Sequence, residues 1–242
     1  MKLKDITSDM VTRDGSTGKW AVEGLSSEPI YNLILENIKS KTPFSLSRYG
    51  DGEWNAIFEK GGSNCDQHQY FPDMGKELKR IVLSEPEYIA GIQPLTMSHY
   101  REQVVNFAGE LDIDWVNSDV LHDANITENL KRFFDAIKGQ HVIMVAPERL
   151  RKIHDKIQFE DFIEVPLKDC WLEKESIEKK LFEMLPQKEY CIILFCASMA
   201  TNVMIDDMYK YYGKQHTFID AGSIFDVHIG YNTRSYHKKM TV

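Results

Sequence analysis

The 242-residue sequence has no long apolar run, no excess of positive charge and no paired-cysteine spacing. Its longest apolar stretch, YCIILFCA at 190–197, is far shorter than the roughly 20 residues of a membrane-spanning helix. The N-terminal MKLKDITSDM lacks the apolar core of a signal peptide. Cys65, Cys170, Cys191 and Cys196 show no C-x2-C pattern, so free thiols and a cytoplasmic location are the expectation. The formal net charge of -8 disfavours broad nucleic-acid binding, which depends on excess Lys and Arg, and suits an acidic site that needs a metal. The phosphate-binding Walker A pattern, HExxH and GxSxG are absent. A GxGxxG dinucleotide motif fails because Gly50-x-Gly52 meets Asn55 at the third step. Cys65 and His68 lack the second pair that a structural zinc site needs.

What is present is an alternation of strand-like and helix-like segments. HVIMVAP and EYCIILFCA are near-continuous apolar runs, as in strands buried on both faces. LEKESIEKKLFEML predicts an amphipathic helix with Leu172, Ile177, Leu181 and Leu185 in one stripe. TENLKRFFDAIKG predicts a helix with Thr127 at its N-cap, and ERLRKIHDK another helix. Residues 43–48 read as a half-buried strand alternating with Ser45 and Ser47, and residues 28–40 as a helix. The pattern predicts an α/β fold: a Rossmann-like, doubly wound, mostly parallel sheet flanked by helices. Residues 1–27 read as a polar N-terminal arm and 28–242 as a single domain. In such sheets ligands sit beyond the carboxyl ends of the strands, which directs attention to the strand exits.

At the first exit stands SRYGDGEW. Asp51 and Glu53, two residues apart between Gly50 and Gly52, form a hard-oxygen pair suited to Mn²⁺ or Mg²⁺. The glycines permit close approach of a ligand. Arg48 can reach a phosphate bidentately, and an Arg beside a metal-binding acid pair suits a diphosphate leaving group. A type I′ or II′ turn with solvated acids is the alternative.

SRYGDGEW resembles the signature of GT-D type glycosyltransferases, and NCDQHQYFP (64–72), WVNSDVLHDAN (115–125), VAPERL (145–150) and KDCW (168–171) extend the resemblance in plausible order. It implies a Rossmann-like domain, a nucleotide-sugar donor, commonly UDP-linked, and a divalent metal at a D-x-E motif that maps onto Asp51 and Glu53. The acceptor it suggests is a glycan on a protein or a surface polysaccharide intermediate. A modified viral DNA base is the other acceptor, disfavoured by the net charge.

Other strand exits supply further candidates. Pro147 and Glu148 could contact the nucleotide base or ribose, or Glu148 could be a first-turn helix acid. Ser198 and Thr201 could cap a helix, or join its free N–H groups in binding phosphate. His122 or Asp123 could meet the sugar or act as base, with His68, Tyr70 and Asn125 in neighbouring loops. Asp226 is the leading candidate for a base that deprotonates the acceptor hydroxyl if the reaction inverts the anomeric centre, with Asp220 nearby. Trp54 and Trp171 could stack on base or sugar or pack in the core. The tail TRSYHKKM could touch an anionic acceptor or membrane surface. Two other functions fit the same turn: a phosphohydrolase drawing further ligands from Asp119, His122 and Asp123, and a non-catalytic nucleotide-binding domain.

Overall fold

The structure, a computed structural model, describes residues 1–16 and 18–232. A short antiparallel hairpin comes first, β1 (Val11–Arg13) with β2 (Trp20–Val22). Then follow α1 (Ser27–Ser40), β3 (Ser45–Tyr49), α2 (Asp51–Ile57), α3 (Pro72–Leu83), β4 (Ile89–Ile92), α4 (Pro94–Ala108), β5 (Val116–Asn117), α5 (Val120–Ile126) and α6 (Leu130–Ile137). The second half adds β6 (Val142–Pro147), β7 (Asp161–Val165), α7 (Lys174–Met184), β8 (Ile192–Phe195), α8 (Ala200–Tyr212) and β9 (Thr217–Asp220).

Strands β3 to β9 form one seven-stranded sheet in the order β5-β4-β3-β9-β8-β6-β7. Every neighbouring pair is parallel. Period-two alternation divides its side chains between two cores. Tyr49, Ile143, Val145, Ile193, Phe195 and Phe218 face one core, which takes in α2, α3, α4, α7 and α8. Leu46, Val142, Met144, Ile192, Leu194 and Ile219 face the other, which takes in α1, α5 and α6. The Rossmann-like architecture expected from the sequence is therefore present. β3 and β9, the first and last strands of this sheet, lie side by side. That seam joins the two halves of the chain at their strand exits.

Several local expectations are corrected. β3 is buried on both faces, not half-buried, because its central place puts Ser45 and Ser47 under helices. Residues 1–27 hold the β1–β2 hairpin, bury Leu3, Ile6, Val22 and Leu25, and pack on α4, so they are more than a polar lead-in. ERLRKIHD adopts a 3-10 helix at Glu148–Asp155 rather than an α-helix. Leu172 leaves the predicted stripe: it lies exposed in a 3-10 turn, Cys170–Glu173, ahead of α7. Asn129, not Thr127, precedes α6, while Thr127 closes α5. All four cysteines are unpaired, with Cys65 alone exposed. Among the described residues no helix is long and apolar enough to cross a membrane. The basic tail falls at 233–240, outside the described residues.

Candidate active site

The β3–β9 seam positions the first group. Arg48, near the end of β3, is largely buried, and its Nε donates to the Ser118 carbonyl at 2.7 Å. Its Nη2 lies 3.3 Å from His122 Nδ1. A guanidinium can only donate, so Nδ1 accepts and the imidazole proton sits on Nε2. Asp119, at the exit of β5, and Asp220, the last residue of β9, flank the guanidinium at 3.8 and 3.9 Å. Asn202 of α8 donates to the Arg48 carbonyl at 2.7 Å. Gly222 closes the cradle: at φ +56 it takes a conformation that L side chains rarely adopt, and a Cβ there would stand 2.3 Å from Arg48 Nη1.

The glycine-carboxylate segment is a strand-to-helix junction, not a hairpin turn. α2 begins at Asp51, and Glu53 folds back so that its Oε2 accepts the Gly50 N–H at 2.8 Å. That is the reciprocal half of a capping box. Gly50 has an ordinary extended backbone, φ -98 and ψ -166. The two glycines therefore serve close packing rather than unusual φ. A Cβ on Gly50 would lie 3.0 Å from Gln93 Oε1, and one on Gly52 3.1 Å from Met199 Sδ.

Electrostatics distinguish the acids here. Burial pushes the Glu53 carboxyl up to about 7, reinforced by the charges of Asp220 and Asp51 and partly offset by backbone hydrogen bonds. Burial pushes Asp220 up to about 6 against the pull of Arg48. Asp119 is raised too, again by burial, with Arg48 opposing. Burial thus opposes charge on each of these acids, a cost that a cation brought beside them would relieve. Among the described residues, however, no group of three or more His, Cys, Asp or Glu could hold a metal by itself. Asp51 and Glu53 fit one only as a partial set, completed by oxygens of a ligand and water.

Both groups open into one cavity of about 890 Å³, ample for a nucleotide-sized ligand. Its two ends differ. Toward β6 and β7 the wall is Pro147, Leu150, Pro166 and Leu167 with Arg149 and Lys168. Arg149 makes a paired contact with Asp226, both distances 3.3 Å, and lies over the Tyr231 ring at 4.5 Å. Toward β4 and β5 the wall is Gln93, Asp119, His122 and Asp123, and the hairpin contributes Arg13, Lys19 and Trp20. Asp123 is held there by Lys19 and by the Ser27 hydroxyl.

Among solved structures the fold has counterparts. A new glycosyltransferase with the domain of unknown function 1792, from Streptococcus sanguinis, superposes with a TM-score of 0.64 at 15% identity, over 83% of this chain and 81% of that one. A second structure, of the highly conserved domain of unknown function 1792, described as a distinct glycosyltransferase fold, gives 0.58 at 13% identity over 82% and 83%. The chain shares this glycosyltransferase fold. The family whose signature the sequence resembles is thus the one whose fold recurs. No family model and no curated protein matches the chain.

Within this glycosyltransferase fold, Arg48, Gly50, Asp51, Gly52, Glu53, His122, Asp123, Pro147, Ser198 and Asp226 all line the one cavity. Three predicted residues are placed otherwise than their roles require. Glu148 pairs with Arg151 at 2.6 Å, outside the cavity, while its neighbour Arg149 lines it. Thr201 is wholly buried in the first turn of α8, and its Oγ1 accepts the Ala197 N–H at 3.3 Å, so it does not line the cavity. Asp226 is engaged by Arg149 and almost fully buried, an ion pair rather than a free base. Burial raises its carboxyl, and Arg149 counters that shift.

Ser198 caps nothing: it sits at φ +55 and accepts from Asn64 Nδ2 at 2.9 Å, which ties the 58–71 loop to the cavity floor. Trp54 is core, packed with Tyr49, Phe58, Phe107 and Trp115. Trp171 donates to Asp73 away from the cavity. His68 lines the cavity, and burial lowers its affinity for a proton. Tyr70 accepts from Asn55 outside it, and Asn125 is buried. Sequence reasoning missed Arg149, Gln93 and Asn64. Arg149 is one residue beyond Glu148.

Proposed function

We propose that the chain is a metal-dependent glycosyltransferase that moves a sugar from a nucleoside-diphosphate donor, UDP-linked in the first instance, to an acceptor hydroxyl. The observation that carries this reading is the junction at Gly50–Glu53: two carboxylates and Arg48 at a strand exit, open to a nucleotide-sized cavity, in a glycosyltransferase fold. Asp51 and Glu53 would hold Mn²⁺ or Mg²⁺, which when bound supplies positive charge beside the diphosphate. The chain's own residues do the rest. Arg48, fixed by Ser118 and Asn202, presents a pre-set cation to the departing diphosphate without reorganising during the reaction. The apolar slot of Pro147, Leu150, Pro166 and Leu167 suits the flat face of a nucleobase, with Arg149 and Lys168 beside it for anionic oxygens. At the opposite end the carboxylates of Asp119 and Asp123 suit sugar hydroxyls, which donate hydrogen bonds to them. With Asp226 paired to Arg149, Asp119 is the better placed base: largely buried, raised, and held by a long hydrogen bond from Gln93 at 3.4 Å with Arg48 at 3.8 Å.

The test is incubation with a panel of UDP-sugars and Mn²⁺, following UDP and inorganic phosphate separately. Release of UDP with transfer or slow hydrolysis of the sugar supports the reading. Release of inorganic phosphate from nucleotides without sugar transfer would replace it with a phosphohydrolase, and tight nucleotide binding without consumption would leave a binding domain. The acceptor class in this proposal is a glycan or other carbohydrate hydroxyl.

A further inference from the structure

The N-terminal hairpin has no part in the reading above, yet it forms a wall of the cavity. β1 and β2 are only three residues each and pack on α4. Two ties fix the hairpin in place: Lys19 to Asp123 of α5, and Trp20 to His99 of α4, edge-on at 6.4 Å. Arg13 completes the arrangement. Its Nε donates to the Gly18 carbonyl at 3.2 Å, and its guanidinium carbon stands 5.8 Å from the centre of the Trp20 ring. An indole with one ring neighbour edge-on, a guanidinium over its ring and a half-buried place on a cavity wall is an unusual use of a large aromatic. Trp54 and Trp115 are wholly buried, and Trp171 lies outside the cavity. Trp20 is the tryptophan, among the described residues, that faces the site.

The chemistry of the two ends decides what it would meet. The β6–β7 end carries the apolar slot and cations that suit a nucleoside diphosphate. The hairpin end carries Asp119 and Asp123, already balanced by Arg48 and Lys19, whose oxygens accept hydrogen bonds from hydroxyls. A pyranose ring offers what this end lacks: a face of C–H groups that carry partial positive charge. Such a face packs on the electron-rich face of an indole while the ring's hydroxyls bond to acids at its edge.

We propose that Trp20, with Arg13 at its ring, is the acceptor subsite: a platform on which the acceptor's terminal sugar ring stacks, so that the acceptor is a carbohydrate. Arg13 offers its remaining N–H groups to ring hydroxyls, and Asp119 and Asp123 take hydrogen bonds from others. This rests on the glycosyltransferase reading for the direction of transfer, but the stacking itself is tested without turnover.

The experiment is saturation-transfer NMR on the full chain with UDP and Mg²⁺ present. The probes are methyl β-glucoside, methyl β-galactoside and the methyl β-glycoside of N-acetylglucosamine. UDP binding to the wild type, measured first by titration, decides the donor reading on its own. The glycosides then decide the platform. At least one should receive saturation at its ring C–H protons. Trp20→Ala should cut that signal at least fivefold, while Trp20→Tyr, which keeps an aromatic face, should retain at least half of it. Trp171→Ala, an indole outside the cavity, should leave it unchanged. Thermal melts of each variant separate loss of the platform from loss of the fold: a Trp20→Tyr protein that melts like the wild type but binds no glycoside contradicts stacking. No saturation of any glycoside on the wild type, or a signal that survives Trp20→Ala, overturns the proposal.

Discussion

The middle of the cavity, at the β3–β9 seam, and its β6–β7 end are built by different means. The β3–β9 seam sets its groups with short bonds to backbone: Arg48 to Ser118, Asn202 to Arg48, Glu53 to Gly50. The β6–β7 end sets Arg149 through one ion pair with a buried acid and a ring contact to Tyr231. Groups fixed by the sheet keep their geometry whatever is bound. Groups fixed by side-chain pairs can exchange partners when a ligand arrives. In the proposed reaction the seam therefore suits the reacting diphosphate, and the far end the part of the donor that does not react.

Breaking the ion pair tests the far end most severely. Arg149→Ala leaves Asp226 buried without its partner, which should cost about 2–3 kcal/mol of stability in urea unfolding, less than a fully buried charge because Asp226 can take up a proton. Arg149→Ala combined with Asp226→Asn should recover more than half of that loss. If the double variant is no more stable than Arg149→Ala, the pair is not what holds this end together.

Gly222→Ala sharpens the seam. The new Cβ meets Arg48 Nη1 and the backbone is strained at φ +56, so a loss of about 1–3 kcal/mol is expected, together with weaker nucleotide binding. Unchanged melting and unchanged affinity would mean that Arg48 is not cradled as described.

A smaller effect concerns His228, close to the Arg149 end in the 3-10 turn Asp226–Ile229. Burial pushes this imidazole down to about 4, and the charge of Lys156, which donates to its Nδ1 at 3.2 Å, acts in the same direction. The folded state then binds fewer protons than the unfolded state between pH 6.5 and 4. Stability from this group is full above about 6.5 and is lost as pH falls through that window. Because the ring is partly exposed, the expected size is about 1 kcal/mol. His228→Gln should flatten the melting-temperature profile between pH 6.5 and 4 relative to the wild type, and a parallel profile would contradict the assignment.

The same contrast explains what the sequence reveals. Strands such as VIMVAP and IILF are read correctly because burial on both faces leaves an unbroken apolar run. The glycine-carboxylate junction stands out because few contexts need two glycines around two acids. The sequence misleads where packing in three dimensions, not local pattern, decides. Ser45 and Ser47 look like a solvent face and are buried, since the place of β3 in the sheet is not written in β3 itself. Thr201 and Ser198 look like caps, but one bonds back to Ala197 and the other takes Asn64 from a distant loop. Glu148 and Arg149 exchange roles: the acid pairs with Arg151, and the neighbouring guanidinium lines the cavity. Asp226 looks like a free acid because its partner Arg149 lies 77 residues away in the chain.

The most direct test of the central claim is calorimetric titration with UDP, with and without Mn²⁺, on the wild type and on Asp51→Asn. Asp51 is exposed at the start of α2, so the substitution should leave the fold intact. The account predicts binding that needs Mn²⁺ and weakens at least tenfold in Asp51→Asn. Metal-dependent UDP binding that is unchanged in the variant, or no binding to the wild type under either condition, would contradict it.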